Sequence, residues 1–483
     1  MSARPRTLWE KTRKFLNDVH LWLGLSSGII VFLVCLSGTI YVFNTEIRES
    51  ASPELFKVDY KEGMTAQTSA ELISKVKEKT GGQVLSVKIP ADPARSWQVV
   101  VKPKGEGGGE KGRGGAEGRG ERGGKARGEG PGRAAGEGHG KGDGHKHDHA
   151  AMAGGKGAGE KGEGGAEKGK GGGGGRGPRG TTYYVDPYSG AILGDSKNSA
   201  TASSEFMGMM FSLHRWLLLD KIEEPIFGEL PNRTLGSYIS GTATILFTLG
   251  VITGIVIWVP KRVKSWRQGL KIKTKGSWKR TNHDLHNTLG FYSCVLLFIM
   301  GITGPQWSFP WYREALQKTL GTHKPHDAAA QRAATSELPS GKPARALTAE
   351  EYIMAANAVL RYEGDYTVSL PADSIAPVSV AKNKLGFFAP AASDKLLLDQ
   401  YTAQTLEVDR FSDKPFNERV AGSIKALHVG DIYGMFSKIL YFIACLIATS
   451  LPVTGTLIWI NKMKKKPGKT GIKRAVKPQP DVV

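Results

Sequence analysis

"DVHLWLG" occupies Asp18–Gly24 and "DLHNTLG" occupies Asp284–Gly290, each at the mouth of a long apolar run. The runs are Leu21–Phe43 and Asn287–Tyr312, and two more follow the same plan at Leu235–Pro260 and Ile439–Asn461, all free of formal charge. A helix needs about 20 residues to cross the hydrocarbon core, so all four qualify as spans. The first is longer than the apolar core of a secretory signal and lacks a small-residue cleavage site, so it reads as a span that stays. Mean hydropathy hides these spans. The chain has 483 residues and a formal charge of +21, but the stretch from about Gly105 to Gly180 is nearly all Gly, Lys, Glu, Arg, Ala and His. Such a composition cannot bury enough apolar surface to offset its ordering entropy, so 104–180 is expected to be a disordered insertion. The basic excess therefore argues for membrane topology and not for nucleic acid.

Orientation follows from short basic segments. Arg4, Arg6, Lys11, Arg13 and Lys14 precede the first span, a Lys/Arg-rich segment from Lys261 to Arg280 joins the second to the third, and Lys462–Lys477 follows the fourth. With four spans all three lie on one side, and the positive-inside rule makes it the cytoplasm. Both termini are then cytoplasmic, and the segments 47–213 and 310–427 face the other compartment, the periplasm of a bacterial inner-membrane protein. Cys35, Cys294 and Cys445 sit within spans and read as apolar filler, with no CxxC or CxxCH.

The repeat extends well past the opening motif. Gly38 in "CLSGTIYVF" stands to His20 as Gly304 in "MGITGPQWSF" stands to His286. "YYVDPYSGAIL" (Tyr183–Leu193) is echoed by "LLLDQYTAQTL" (Leu396–Leu406), His214 in "SLHRW" by His428 in "ALHVG", and "VITGIVIWVPK" by "LPVTGTLIWINK". The fold class is an α-helical membrane protein: a four-helix transmembrane bundle from an internal duplication, with two periplasmic α+β domains. Both halves enter from the same side, which implies a pseudo-two-fold axis along the membrane normal. Read in order, the parts are a cytoplasmic segment to residue 19, span one at 20–46, the first outer domain at 47–213, an interfacial helix and linker at 214–234, span two at 235–260, a basic loop at 261–282, span three at 283–309, the second outer domain at 310–427, span four at 428–461 and a basic tail. In the first outer domain "SAELISKVKEKTGG" reads as a helix ending at Gly81, and "VLSVKIP", "SWQVVVKP" and "TTYYVDPYSGAILG" as strands. In the second, "TAEEYIMAANAVL" reads as helix and "VSVAKN", "LGFFAP" and "KLLLDQYTAQTLEVDR" as strands.

Histidine beside a membrane span is costly and points to proton relay, metal binding or haem ligation. Taken singly, such a residue also fits a snorkelling interfacial histidine; four in two repeat-related pairs fit that less well. Topology sets His20 and His286 near the inner face and His214 and His428 near the outer one. Thr253-Gly254 and Thr454-Gly455 fall at the inner level. Ser37-Gly38 and Thr303-Gly304 fall at the outer level, roughly 27 Å of helix beyond their histidines. A flat macrocycle needs two axial nitrogens on opposite faces and residues without bulk at its edge, so bis-histidine haem b, two per chain, uses every feature. His283 shares nearly the same helical face as His286 and is an alternative inner ligand. Arg215 is placed to meet a haem propionate. Trp22, Trp216, Trp258, Trp307, Trp311 and Trp459 read as interfacial anchors. In "GHGKGDGHKHDHA", His139, His145, His147 and His149 form a weak divalent-metal candidate or inert low complexity, and His323 and His326 a similar pair or a solvated loop.

"RKFLNDVHLWLGLSSGIIVFLVCLSGTIYVF", "YYVDPYSGAILG", "SLHRWLL", "HDLHNTLGFY" and the "VITGIVIW" ending resemble the PepSY-associated transmembrane helix family of bacterial inner-membrane proteins. The resemblance covers the chain apart from the Gly-rich insertion and the tails. Similar members act as ferric-siderophore reductases with two b haems, which implies a di-haem core, two periplasmic PepSY domains, and His20, His214, His286 and His428 as haem positions. The second PepSY copy departs from the pattern at Gln400 and Ala403, where the first has Pro187 and Gly190, so a different turn is expected there. On this reading electrons pass from the inner level to the outer and reduce an Fe(III) chelate in the periplasm. The donor is a separate protein, quinol or a reduced flavin, since no dinucleotide-binding motif follows a strand. Two other readings stay open: a PepSY scaffold or sensor that binds a periplasmic protein and carries no pigment, and a transporter, to which charge-free span interiors are poorly suited.

Overall fold

The computed structural model describes residues 8–102, 180–199, 201–259, 266–323, 334–339, 345 and 347–464. His139, His145, His147, His149 and His326 lie outside these residues, as do the 104–180 insertion apart from Gly180, the first part of the loop after span two and the basic tail beyond Lys464.

In chain order the elements are α1 (Leu8–Tyr41), α2 (Asn44–Ala51), α3 (Pro53–Phe56), α4 (Ser69–Thr80), β1 (Gln83–Ile89), β2 (Trp97–Lys102), β3 (Thr181–Val185), β4 (Ile192–Asp195), α5 (Ala202–Trp216), α6 (Asn232–Trp258), α7 (Trp266–Gly269), α8 (Trp278–Thr303), α9 (Pro310–Thr319), α10 (Ala349–Val359), β5 (Gly364–Ser369), β6 (Val378–Lys384), β7 (Asp394–Leu398), β8 (Thr405–Asp409), α11 (Phe416–Gly422), α12 (Ile424–Val429) and α13 (Gly434–Met463). Four of them, α1, α6, α8 and α13, are long and apolar enough to cross a membrane. They pack as a bundle in which α1 and α8 each touch both α6 and α13. Small residues set the closest approaches: a Cβ on Gly301 would stand 2.4 Å from Thr248 Oγ1.

All eight strands join in one antiparallel sheet in the order β4-β3-β2-β1-β5-β6-β7-β8. Its halves join through β1 and β5, with Ser86 opposite Ser369, Val87 opposite Val368 and Lys88 opposite Thr367. The register is mirrored on each side of that seam, since Val87 also faces Val99 and Val368 also faces Val380. Alternate residues of each half point into a core closed by one helix. Val87, Val99, Val101 and Val185 pack under Leu72 and Val76 of α4, and Val368, Val378, Val380, Leu396 and Leu398 under Tyr352 and Ala356 of α10. Each such valine or leucine, fully buried, contributes about 2 kcal/mol. Both helices start with a capping box: Thr68 and Glu71 on α4, Thr348 and Glu351 on α10, each pair bonded reciprocally through side chain and backbone. The helix read from "SAELISKVKEKTGG" ends where expected, at Gly81 with φ 62°.

Three local expectations change. "LGFFAP" is not a strand: residues 385–390 form the β6–β7 connection, with Gly386 at φ 135°. β6 pairs directly with β7 instead, and the strand not read from the sequence is Gly364–Ser369, which lies between β1 and β6. The second turn matches the first. Gly190 N–H and Ala403 N–H donate to the carbonyls of Asp186 and Asp399 at 2.9 and 3.0 Å, Tyr188 and Tyr401 N–H both reach the aspartate Oδ1 at 2.9 Å, and Ala403 adopts φ 56° against 73° for Gly190. The aspartate side chain holds the turn together, so alanine is forced into the left-handed region. Finally, His428 is not on the fourth span. It rides α12, which ends at Gly430 with φ 86° before α13 begins.

Candidate functional site

The four histidines meet in two pairs. His20 of α1 and His286 of α8 have ring centroids 6.3 Å apart with planes at 78°. His214 of α5 and His428 of α12 have centroids 6.1 Å apart with planes at 61°. Both outer residues sit on short helices that lean on the bundle, α5 against α1 and α6, α12 against α8.

Each ring is held in the same way. His214 Nδ1 meets the Val34 carbonyl at 2.9 Å. His20 Nδ1 meets the Gly250 carbonyl at 3.0 Å and Thr253 Oγ1 at 3.1 Å. His428 Nδ1 meets the Met300 carbonyl at 3.2 Å and Thr303 Oγ1 at 3.0 Å, and His286 Nδ1 meets Thr454 Oγ1 at 2.9 Å. A carbonyl only accepts, so Nδ1 carries the proton in His20, His214 and His428; beside His286 the Thr454 hydroxyl already donates to the Ser450 and Leu451 carbonyls and so accepts as well, and in each ring Nε2 keeps its lone pair. This is the tautomer a metal-bound imidazole needs, fixed by its second nitrogen. The ring edges then rest on glycine. A Cβ would stand 3.1 Å from His214 Cε1 at Gly38, 3.2 Å from His20 Cε1 at Gly254, 3.3 Å from His428 Cε1 at Gly304 and 3.2 Å from His286 Cε1 at Gly455. The three Thr-Gly dipeptides seen in the sequence thus supply both a hydroxyl partner and the space for the ring, while Ser37-Gly38 supplies the space alone.

The spacing within each pair is compatible with one shared iron. A metal–imidazole bond of about 2.0 Å plus about 1.1 Å from nitrogen to ring centre, taken twice, gives about 6.2 Å. Two imidazoles per level are also too few to hold a bare ion. Among the described residues no group of three or more His, Cys, Asp or Glu is placed to do so. That donor set suits a macrocycle that brings its own equatorial nitrogens.

Around the outer pair, the Trp307 ring lies 4.9 Å from His428, and its carbonyl accepts from Arg215 Nη2 at 3.2 Å. No carboxylate among the described residues pairs with Arg215. Burial, together with neighbouring Arg233, holds its guanidinium down at about 10, so it stays cationic and suited to an anionic group. Burial likewise lowers His214, and with the facing ring pushes His428 to about 3, which keeps both neutral.

The structure brings together all four histidines named from the repeat. His283 does not join them: its side chain is 55% exposed and its Nδ1 lies 3.7 Å from the buried Asp284 carboxylate. His323 is exposed in a loop. Two tryptophans read as anchors have other surroundings. Trp258 is 8% exposed and stacks on Phe291 at 3.6 Å, and Trp307 packs on His428. Trp22 and Trp311 are 69% and 61% exposed, as an anchor requires. Sequence reasoning missed the carbonyl partners, which lie one turn before the glycines and carry no side-chain signal.

Four apolar helices, a joined sheet and two half-buried histidine pairs define a multi-span membrane protein with two similar sites. The chain belongs to the PepSY-associated TM region family, whose model matches residues 18–462. A comparison with curated proteins finds no match.

Proposed function

We propose that this protein is a di-haem b electron-transfer protein of the bacterial inner membrane, with both termini cytoplasmic, that reduces a periplasmic Fe(III) chelate such as a ferric siderophore. The observation that carries the reading is the twice-repeated pair of imidazoles, with ring centres 6.3 and 6.1 Å apart, each with Nδ1 engaged and each seated on glycine. His20 with His286 and His214 with His428 would hold the two haems, which supply one-electron redox chemistry. The chain's own residues do the rest. Backbone carbonyls fix the tautomer, glycines 38, 254, 304 and 455 leave room at the ring edges, and Arg215 offers a cation for a carboxylate at the outer site. Spans one and three run outward from the inner pair and carry the outer glycines roughly 27 Å further along, which suits a relay across the membrane. Fe(II) binds hard oxygen ligands more weakly than Fe(III), so reduction releases the metal from its chelate. The two matched halves support an internal duplication, each half giving one PepSY domain. The electron donor is a separate protein, quinol or reduced flavin.

Purified protein in detergent, examined oxidised and dithionite-reduced with a pyridine haemochrome assay, tests the proposal. About two haems b per chain, reoxidised by a ferric siderophore, is the expected result. Protein that stays colourless when expressed with ample haem would sink it and favour the non-enzymatic scaffold or sensor, for which the continuous eight-stranded sheet is a ready platform.

A further inference from the structure

The loop between β6 and β7 reads "LGFFAPAAS" over 385–393 and carries no charge between Lys384 and Asp394. Leu385 is 52% exposed, and Phe387 and Phe388 are each 59% exposed, a costly display for a loop in water. The loop does not wave free. Phe387 accepts a backbone hydrogen bond from Phe436 N–H at 3.2 Å, and Ala391 N–H donates to the Ile432 carbonyl at 3.1 Å. Gly434, at φ 57°, makes the approach possible: a Cβ there would stand 2.9 Å from the Phe387 carbonyl. The Phe388 ring stacks on Tyr433 at 4.9 Å with planes 5° apart and lies 5.2 Å from Phe436. From Phe436 the apolar surface continues down α13 through Ile439, Leu440 and Ile443, each exposed by 41–48%. These are residues of a helix built to cross the bilayer.

We propose that this loop is a membrane anchor: Phe387 and Phe388 insert into the lipid of the leaflet nearest the sheet and clamp the second half of the sheet to the start of α13. Continuity with the outward-facing surface of a span selects lipid as the occupant. A patch reserved for a protein partner would have no reason to merge with that surface. Aromatic rings are well suited to this depth, where one face meets acyl chain and the other headgroup. The anchor belongs to one half only, because the corresponding connection, between Lys102 and Thr181, is occupied by the Gly-rich insertion. It also bears on the proposed outer site, since the clamped segment Ile432–Phe436 directly follows the helix that carries His428.

The test uses the full-length protein in phosphatidylcholine–phosphatidylglycerol nanodiscs. A nitroxide at Phe388→Cys, with the three native cysteines replaced by alanine, is compared with one at Met354→Cys, an α10 position 69% exposed on the sheet unit. The Phe388 label is expected to collide severalfold more with molecular oxygen than with a water-soluble nickel chelate, and the Met354 label the reverse. In case the cysteine-free background folds poorly, Phe388→Trp and Met354→Trp are made in the parent chain with brominated lipid; added fluorescence at 388 should be quenched and that at 354 spared. A Phe388 position as water-accessible as Met354 overturns the proposal. A nitroxide at 388 that is immobilised yet reached by neither collider, or added fluorescence at 388 that brominated lipid leaves unquenched, overturns it too, pointing to a second protein surface.

Discussion

Adding a single methyl group at Gly38 separates a ring-seating glycine from an ordinary helical one. Gly38→Ala places a Cβ 3.1 Å from both Cε1 and Nδ1 of His214, so the ring must retreat by a few tenths of an ångström while its 2.9 Å bond to the Val34 carbonyl holds it in place. Gly24, on the same helix, has nothing within 4 Å of its Cβ position. Both substitutions gain about 0.8–1.0 kcal/mol of helix propensity. Only Gly38→Ala carries the overpacking cost of about 1–3 kcal/mol. The difference between the two variants should therefore be about 1–3 kcal/mol, a factor of roughly 5 to 150 in the occupancy equilibrium. Haem per chain and thermal unfolding in detergent are the readouts. Gly24→Ala is expected to keep two haems and melt at or above the parent temperature. Gly38→Ala should hold its outer haem more weakly and release it first on heating, and Gly38→Leu should fall to one haem. If Gly38→Ala and Gly24→Ala bind and melt alike, the glycine seat has no role in holding a cofactor and the reasoning fails.

Other expectations follow from the same geometry. His214→Ala or His428→Ala should each leave about one haem per chain with the inner site intact, whereas His283→Ala should retain both, as counted by haemochrome assay; loss of haem from His283→Ala alone would reverse the assignment of the inner ligand. Ala403→Gly should stabilise the second half of the sheet by about 0.5–1 kcal/mol, the left-handed strain it relieves exceeding the entropy glycine adds to the unfolded chain, and an unchanged or lower unfolding midpoint would contradict this. Burial alone would raise the Asp399 carboxyl, but N–H donors from Tyr401, Glu337 and Thr402 outweigh it and hold it below its usual value. Its stabilising contribution is thus complete above the ordinary aspartate value of about 4 and fades as pH falls through the lower folded value. Asp399→Asn should cost about 1–3 kcal/mol near neutrality and lessen the loss of stability in acid, as followed by urea unfolding at pH 7 and pH 3; an equal loss in both proteins would count against it.

Much of this was legible in the sequence because it is written in local patterns. Charge-free runs of more than 20 residues have few other uses, and the spacing of His20 to Gly38 and of His286 to Gly304 points to a repeated pair of sites from the sequence alone. What was not legible depends on distant partners. "LGFFAP" has strand-like composition, and only its seat on Gly434 and Phe436 shows it to be a loop. The β1–β5 seam leaves no trace in either strand, since an edge strand and a central strand of four to seven residues look alike. The extra helix bearing His428 was hidden because "IKALHVG" runs toward the apolar stretch without a strong breaker, and Gly430 ends it by a left-handed turn that glycine permits but does not announce. Trp258 shows the same limit: a tryptophan near a span end reads as an anchor until Phe291 is found beneath it.

The seam between β1 and β5 also sets an order of events during synthesis. β1 emerges early, yet β5, the strand that completes its hydrogen bonding, is made only after α6 and α8 have been synthesised. Until then Gln83–Ile89 presents an open edge, the kind of surface that recruits other chains. A nascent chain stalled or truncated before Gly364 should accordingly be an aggregation hazard and a substrate for quality-control proteolysis, and the two halves should fail as separate polypeptides unless they are supplied together.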